Sequence, residues 1–180
     1  MIEIWLTLLD KFISYNKEDL MDFEEMIKDY LTFLDESFNS SSEVISFLSR
    51  QLEIHGFVND GFLEAVLERE SKFPTGLYLG DINVAIPHTE IKYAKKSGVA
   101  IVRLMKPVYF RRMDYPDKEV EVSLVFLLSI VNPGEYVNFL SKLTQSFGDY
   151  AVVRQLFLTK SKDEFLKILK DSLCAKEVDK

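Results

Sequence analysis

Apolar residues recur along this chain with two different spacings, and the spacing changes twice. Steps of three and four residues, typical of amphipathic helices, cover residues 2–15, 44–52 and 62–67 and return over residues 136–173. Short apolar runs with the composition of β-strands lie between the early helices and the late ones. This order predicts an α/β protein, a three-layer α/β/α domain with a central mixed sheet of about four to five strands and helices on both faces.

Five short segments are predicted as strands. The strongest covers residues 120–130, and its almost unbroken apolar run from Leu124 to Leu128 indicates burial on both faces of a sheet. The strand at residues 84–86 is closed by Pro87, because proline has no N–H to donate to a neighbouring strand. The remaining predicted strands are 30–34, 99–102 and 108–110, the last of them directly after Pro107.

Capping signals mark the ends of the first two helices after residue 40. Ser40 and Glu43 stand three residues apart before an apolar run, which is the pattern of a capping box. This helix is expected to end beside His55, which makes His55 a helix-end residue that caps or packs. Residues 59–60 are Asn-Asp, an N-cap signal for a second helix that is expected to end near residues 69–71.

The net negative charge of the chain comes from its first 40 residues. The net charge is -7, yet residues 1–40 hold 10 acidic and 3 basic residues while residues 41–180 hold 19 of each. Without a net basic face, direct binding to nucleic acid is not expected. We therefore divide the chain into an acidic helical extension over residues 1–29, one domain over residues 30–173 and a charged tail over residues 174–180.

Few residues are available for metal binding, disulfides or membrane insertion. Two histidines and one cysteine, Cys174, leave little for a zinc site, which usually takes three or four Cys or His ligands, and a single cysteine cannot form an internal disulfide. The longest apolar stretch, residues 122–131, is far below the roughly 20 residues that a membrane-spanning helix needs. The N-terminus lacks the features of a signal peptide, so a cytoplasmic protein is expected.

His88 is the strongest candidate for chemistry in the chain. It follows the predicted strand at residues 84–86 and Pro87 directly, so its ring is expected to leave a rigid strand end and point toward solvent. An imidazole with a pKa near 6.5 keeps a neutral, nucleophilic nitrogen at cytoplasmic pH. The competing interpretation is a loop histidine without a catalytic role.

Residues 84–88, Val-Ala-Ile-Pro-His, resemble the phosphorylation-site segment of the enzyme IIA component of the bacterial sugar phosphotransferase system. The branch is the fructose–mannitol superfamily, in which an Arg-Glu pair ends the preceding helix, as Arg69-Glu70 does here. The similarity extends from about residue 30 to residue 173. Residues 73–77 and the Thr89 that follows the histidine look most like galactitol-type members. Three later segments also resemble that branch: residues 106–110, 122–128 and 132–133.

The resemblance implies a phosphoryl relay that uses no cofactor and no metal. The phosphocarrier HPr is the expected donor to His88, a cysteine of a galactitol-type enzyme IIB is the expected acceptor, and the membrane enzyme IIC takes part only indirectly. Arg69 is expected to bind the phosphoryl oxygens, because its guanidinium fork matches phosphate geometry. Thr89 offers a hydroxyl or a backbone N–H to the same group, and Glu90 is a candidate for orienting the ring.

Each of these assignments has a simpler structural alternative. Arg69 could form a helix-end salt bridge with Glu68 or Glu70, and Thr89 and Glu90 could be surface polar residues. An apolar surface for partner docking is expected around the histidine, although at least half of its candidates are expected to pack in the core. These candidates are Phe73, Leu77, Tyr78, Leu79 and Tyr136.

Two positions depart from the family pattern. Many members have a small residue after the active histidine, where this chain has Thr89, and many have a second histidine in a Glu-His pair, where Glu135 is followed by Tyr136. Galactitol-type members commonly lack that second histidine as well.

Two other functions stay open: a regulatory domain of a sugar-responsive transcription regulator, and a non-catalytic scaffold, which the presence of both His88 and Arg69 disfavours. The sequence indicates neither the sugar nor the oligomeric state.

Overall fold

A computed structural model describes residues 23–174 of the chain. The helix predicted over residues 2–15, most of the acidic segment that follows it and the charged tail lie outside these residues. The strands are β1 (Ile27–Glu36), β2 (Gly76–Leu77), β3 (Asn83–Ala85), β4 (Gly98–Arg111) and β5 (Glu119–Ser129). The helices are α1 (Phe23–Met26), α2 (Ser41–Ile54), α3 (Phe62–Lys72), α4 (Pro133–Gly148), α5 (Tyr150–Leu158) and α6 (Lys162–Cys174), and a 3-10 turn covers Ile91–Tyr93.

The five strands form one mixed sheet in the order β1-β4-β5-β3-β2. β1 pairs with β4 in parallel, and so does β3 with β5, whereas β4 with β5 and β2 with β3 are antiparallel. The longest strands, β4 and β5, lie at the centre of the sheet. The short strands β3 and β2 form one edge, and the chain leaves β3 directly into the segment that contains His88.

Successive residues of the central strands enter two separate cores. In β5, Leu124 and Phe126 pack in the cluster that contains α4, α5 and α6, whereas Val125 and Leu127 pack in the cluster that contains α2 and α3. Side chains alternate between the faces of a sheet, so a strand that is apolar at every position must be covered on both sides. The predicted three-layer α/β/α architecture is thereby confirmed.

Two features of the strands differ from the prediction. Residues 99–102 and 108–110 were predicted as separate strands, which is wrong, because both belong to β4. The pairing of β4 with β5 shifts between Arg103 and Val108, and Pro107 lies within that irregularity, where its missing N–H breaks no ladder bond. The two-residue strand β2, which pairs Gly76 with Ala85, was not predicted.

The predicted start of α2 is confirmed, whereas α3 begins later than predicted. The Ser40 side chain accepts a hydrogen bond from the backbone N–H of Glu43 (3.2 Å), and the Glu43 carboxylate accepts one from the backbone N–H of Asn39 (2.9 Å). Helix α3 begins at Phe62 rather than at residues 59–60, and it ends at Lys72, so Arg69 lies in its last turn. Within residues 23–174, no helix is both long and apolar enough to cross a bilayer.

Candidate functional site

His88 lies where the β3 segment meets the end of β5. Pro87 accepts a hydrogen bond from the backbone N–H of Leu128 (3.1 Å), and His88 forms an isolated parallel bridge with Leu128. The chain beyond β3 therefore stays attached to the sheet through Pro87 and His88. This attachment holds the backbone of His88 in one place, as the sequence predicts for a residue that leaves a rigid strand end.

The imidazole of His88 is oriented by a backbone carbonyl. Its Nδ1 atom lies 2.8 Å from the carbonyl oxygen of Ile86. A carbonyl oxygen only accepts hydrogen bonds, so Nδ1 carries the proton in this contact. In the neutral ring the lone pair then lies on Nε2, which makes Nε2 the nucleophilic atom.

The ring is buried rather than open to solvent. His88 keeps 6% of its surface exposed, and its ring packs against that of Tyr136 with centroids 5.3 Å apart. The expectation that His88 points toward solvent is therefore wrong, because the first turn of α4 places Tyr136 over the ring. Burial and then the positive charge of Arg69 lower the pKa of His88 to about 4, against the opposing effect of the Ile86 carbonyl, so the ring is neutral at pH 7.

Arg69 brings a positive charge to this pair of rings. Its charge lowers the pKa of His88, and it also lowers that of Tyr136, although burial of the phenol has the larger effect and raises the Tyr136 pKa to about 12. The guanidinium also lies 5.9 Å from the centroid of the Phe73 ring. Arg69, His88 and Tyr136, which are distant in sequence, are thus close together in the fold.

The acidic neighbours of Arg69 are engaged elsewhere. Glu68 forms an exposed ion pair with Lys72 (2.6 Å), and the Glu70 carboxylate binds Thr75. None of the ion pairs among residues 23–174 involves Arg69. A helix-end salt bridge therefore does not occupy the Arg69 guanidinium, which leaves its donors available to an anion.

Thr89 and Glu90 follow the histidine but occupy different environments. Thr89 is half-buried, and its role as a donor to a phosphoryl group stays a prediction. Glu90 is exposed, and its carboxylate lies 3.0 Å from the ammonium of Lys92. Among the described residues no hydrogen bond joins Glu90 to His88, whose Nδ1 atom is held by Ile86; the orienting role of Glu90 stays a prediction without a contact to support it.

Glu70 and Thr75 form a contact that was not predicted from the sequence, where Glu70 counts only as part of the Arg-Glu pair. The Glu70 carboxylate accepts hydrogen bonds from the backbone N–H of Thr75 (2.9 Å) and from its hydroxyl (2.8 Å). Thr75 itself is 1% exposed. A polar pair five residues apart at a predicted helix end is the signal that could have identified this contact, because buried polar groups need partners.

The predicted apolar surface around the histidine divides into two groups. Phe73 and Tyr78 are 65% and 58% exposed and can meet a partner. Leu77, Leu79 and Tyr136 are half-buried and pack against the core that contains α4 to α6. More than half of the candidates therefore belong to the core, as expected.

His55 has a structural role, as its position predicts. Its Nδ1 atom lies 2.8 Å from the carbonyl oxygen of Gln51 at the end of α2, and its ring stacks on that of Tyr30 with centroids 4.7 Å apart.

In the part of the chain that the structure describes, no three His, Cys, Asp or Glu side chains are grouped as metal ligands would be. His88 is thus the candidate reactive histidine.

Sequence comparison connects this site to a defined family. Residues 25–172 match the family model "Phosphoenolpyruvate-dependent sugar phosphotransferase system, EIIA 2". The chain is 34% identical over 139 residues to the PTS system galactitol-specific EIIA component of Escherichia coli K12, covering 76% of this chain and 92% of that protein. It is 28% identical over 140 residues to the mannitol-specific EIICBA component of the same strain, covering 76% of this chain and 21% of that protein.

Solved structures agree with the sequence comparison. The fold is similar to that of enzyme IIA of the mannitol system of Escherichia coli, solved in complex with phosphorylated enzyme IIB, with a TM-score of 0.65, 27% identity, and coverage of 79% of this chain and 97% of that one. The nitrogen regulatory protein IIA-Ntr of Neisseria meningitidis matches with a TM-score of 0.67, 29% identity, and coverage of 82% and 98%. The chain therefore belongs to the enzyme IIA family of the sugar phosphotransferase system.

Proposed function

We propose that this protein is a phosphohistidine carrier of the cytoplasm that accepts a phosphoryl group from phospho-HPr on His88 and passes it to a cysteine of a galactitol-type enzyme IIB. The observation that carries the proposal is the hydrogen bond between Nδ1 of His88 and the Ile86 carbonyl oxygen (2.8 Å). This bond places the lone pair on Nε2, and the low pKa of the buried ring keeps that lone pair free at pH 7.

In the first transfer, Nε2 of His88 attacks the phosphorus atom of phospho-HPr. The new N–P bond forms as the old one breaks, and the electron pair of the broken bond stays on the donor histidine of HPr. Positive charge develops on the imidazole of His88 during the attack. The hydrogen bond from Nδ1–H to Ile86 stabilises this charge, because a carbonyl oxygen accepts more strongly from a cationic donor.

Arg69 stabilises the phosphoryl group while it is transferred. The group carries negative charge on its equatorial oxygens, and catalysis of such a transfer consists of positioning and charge stabilisation. The Arg69 guanidinium lies close enough to lower the pKa of His88, and no carboxylate within the described residues forms an ion pair with it. Thr89 adds a hydroxyl or a backbone N–H as a second donor.

In the second transfer, a cysteine thiolate of enzyme IIB attacks the phosphorus atom, and the electron pair of the breaking N–P bond returns to Nε2. The galactitol-specific relative supports this choice of partner. The mannitol enzyme IIA, solved with phosphorylated enzyme IIB, supports the use of this fold for transfer to a IIB protein. The exposed side chains of Phe73 and Tyr78 are available at the docking surface. The membrane enzyme IIC acts further along the relay.

The first transfer is tested with phospho-HPr and purified protein. We expect a phosphorylated adduct that is labile in acid and stable in base, as a phosphohistidine is. His88→Ala should abolish uptake, whereas His55→Ala, which removes the second of the 2 histidines, should leave it unchanged. Uptake by His88→Ala, or no uptake by the unmodified protein, would falsify the relay.

A regulatory role is the second candidate, and one observation favours it. A protein with a regulatory name, IIA-Ntr of Neisseria meningitidis, has the same fold at 29% identity. The two functions differ at the second transfer, because a transport component must pass its phosphoryl group to enzyme IIB. We expect loss of label from His88 when a galactitol-type IIB is added, and a phosphoprotein that keeps its label would favour the regulatory role.

A further inference from the structure

Glu70 connects the end of α3 to the segment before β2. Its carboxylate accepts two hydrogen bonds from Thr75, one from the backbone N–H (2.9 Å) and one from the hydroxyl (2.8 Å). Burial is the largest influence on its pKa and raises it, while the two bonds from Thr75 act in the opposite direction. Glu70 is half-buried, and a partly desolvated carboxylate is costly to leave without partners, so the contact fixes both segments.

Thr75 passes this restraint to the segment that carries the histidine. Its carbonyl oxygen accepts a hydrogen bond from the backbone N–H of Ile86 (3.3 Å), one residue beyond the pairing of Gly76 with Ala85. The two antiparallel segments are thus joined up to the residue before Pro87. The backbone N–H of Ile86 is thus bound by Thr75, and Thr75 is bound by Glu70.

Ile86 completes the connection to the imidazole. Its N–H is bound to Thr75, and its carbonyl oxygen accepts the hydrogen bond from Nδ1 of His88 (2.8 Å). The orientation of the Ile86 carbonyl therefore determines which nitrogen of the His88 ring carries the proton. Three linked contacts lead from the Glu70 carboxylate to the reactive ring, and all of them lie within residues 70–88.

We propose that Glu70 is a positioning residue for phosphoryl transfer, which sets the tautomer and orientation of the His88 ring through Thr75 and Ile86. The same carboxylate also fixes the end of α3, where the adjacent Arg69 brings its charge to the site. Glu70 thereby places the nucleophile and the cation relative to each other. The expected effect of Glu70 on the rate of phosphoryl uptake rests on the proposed function. Its effect on the tautomer of His88 does not, because the tautomer is a property of the unphosphorylated protein.

Two substitutions that preserve volume test the proposal. Glu70→Gln keeps the shape of the side chain but leaves one acceptor oxygen, and Thr75→Val keeps the backbone N–H but removes the hydroxyl. Glu68→Gln is the matched control, because Glu68 is exposed and pairs with Lys72. Each variant is compared in the full chain by ¹⁵N NMR of His88, by uptake from phospho-HPr and by urea unfolding, with His55→Ala used to assign the two rings.

We expect the population of the Nδ1–H tautomer of His88 to fall in Glu70→Gln and Thr75→Val, and its low pKa to fall further, because the hydrogen bond to Ile86 is the contact that raises it. Phosphoryl uptake should fall about 10- to 100-fold, the effect of a small misplacement of reacting groups. Glu68→Gln should match the unmodified protein in all three measurements. Glu70→Ala serves as the severe variant wherever urea unfolding shows that it is folded.

An unchanged tautomer and pKa of His88 in folded Glu70→Gln and Thr75→Val would overturn the proposal, whatever the uptake rate does. A lower phosphoryl uptake with an unchanged tautomer and pKa of His88 would mean that Glu70 acts on stability or on partner docking instead. If the unmodified protein takes up no phosphate, the proposed function fails, yet the NMR measurement still decides whether Glu70 positions the ring. The two failures are therefore distinguishable.

Discussion

The imidazole of His88 and the phenol ring of Tyr136 pack with their centroids 5.3 Å apart and their planes at 58°. Tyr136 lies in the first turn of α4, far along the chain from the β3 segment that precedes His88. The contact explains why a histidine at a strand end is 6% exposed. It also accounts for the altered pKa values of both rings, since burial is the main cause in each case.

Removing the Tyr136 ring should expose His88. We expect Tyr136→Ala to raise the pKa of His88 from about 4 toward 6.5, because desolvation is the largest cause of the low value. Tyr136→Phe keeps the ring and should leave the pKa low. An NMR titration of the His88 ring measures both, with Tyr109→Ala, at an exposed position on β4, as the control. A low pKa in Tyr136→Ala would contradict the burial argument.

The low pKa of His88 makes stability depend on pH in a defined window. Between about 4 and 6.5 the ring is neutral in the folded chain and protonated in the unfolded chain, so the unfolded chain binds more protons. The free energy of unfolding should therefore fall as the pH is lowered from 6.5 to 4, by up to about 3 kcal/mol from this group.

Urea unfolding at pH 7 and pH 4.5 measures this dependence. His88→Asn removes the titrating ring, so it should lose less stability on acidification than the unmodified protein does. Glu70, whose raised pKa acts in the opposite direction, is present in both chains and cancels in the comparison. Equal losses in the two proteins would refute the assignment to His88.

Gly76 is required where β2 approaches the β4–β5 hairpin. A Cβ atom at this position would lie 2.7 Å from the carbonyl oxygen of Arg111 and 2.9 Å from Cγ1 of Val120. Gly76→Ala should therefore lower the free energy of unfolding by about 1–3 kcal/mol through overpacking. It should also slow phosphoryl uptake, because Thr75 is the preceding residue. Gly148→Ala, which meets no atom within 4 Å, should leave both measurements unchanged.

Arg103 joins β1, β4 and the end of α5. It is 4% exposed, and it donates to both oxygens of Asp35 (2.9 Å each) and to the carbonyl oxygens of residues 156, 157 and 159. Arg103→Met should lower the free energy of unfolding by about 2–4 kcal/mol, because the carbonyls lose their donor. Lys162→Met, which removes an exposed contact with Asp29 (3.6 Å), should change it by less than about 1 kcal/mol. Urea unfolding of the two variants makes the comparison.

Deleting the N-terminal residues tests whether the domain alone takes up a phosphoryl group. The family model covers residues 25–172, and the structure describes two hydrophobic cores that residues 26–173 supply. We propose that residues 1–22 are not needed for the relay, so their deletion should leave uptake from phospho-HPr within about twofold of the full chain, a difference of less than 1 kcal/mol in the barrier. A larger loss would assign the N-terminal segment a part in the reaction.

The local pattern of the chain determined the layered α/β class, most helices and the position of His88 after a strand. Helix starts such as Ser40, and the doubly buried strand β5, are encoded within a few residues, because caps and hydrophobic periods act over short distances. Val84 to His88 carried the resemblance to the enzyme IIA family, and the comparison confirmed that family.

The tertiary structure decided what surrounds that histidine. The burial of His88 under Tyr136 and the approach of Arg69 each join segments from different elements, and no local pattern encodes such distances. The same holds for β4, which continues through Pro107 because its pairing with β5 shifts there. Sequence therefore predicted His88 as the nucleophile, whereas the neutral state of its ring and the position of the ring proton follow from packing, since desolvation and a neighbouring carbonyl act only after the chain has folded.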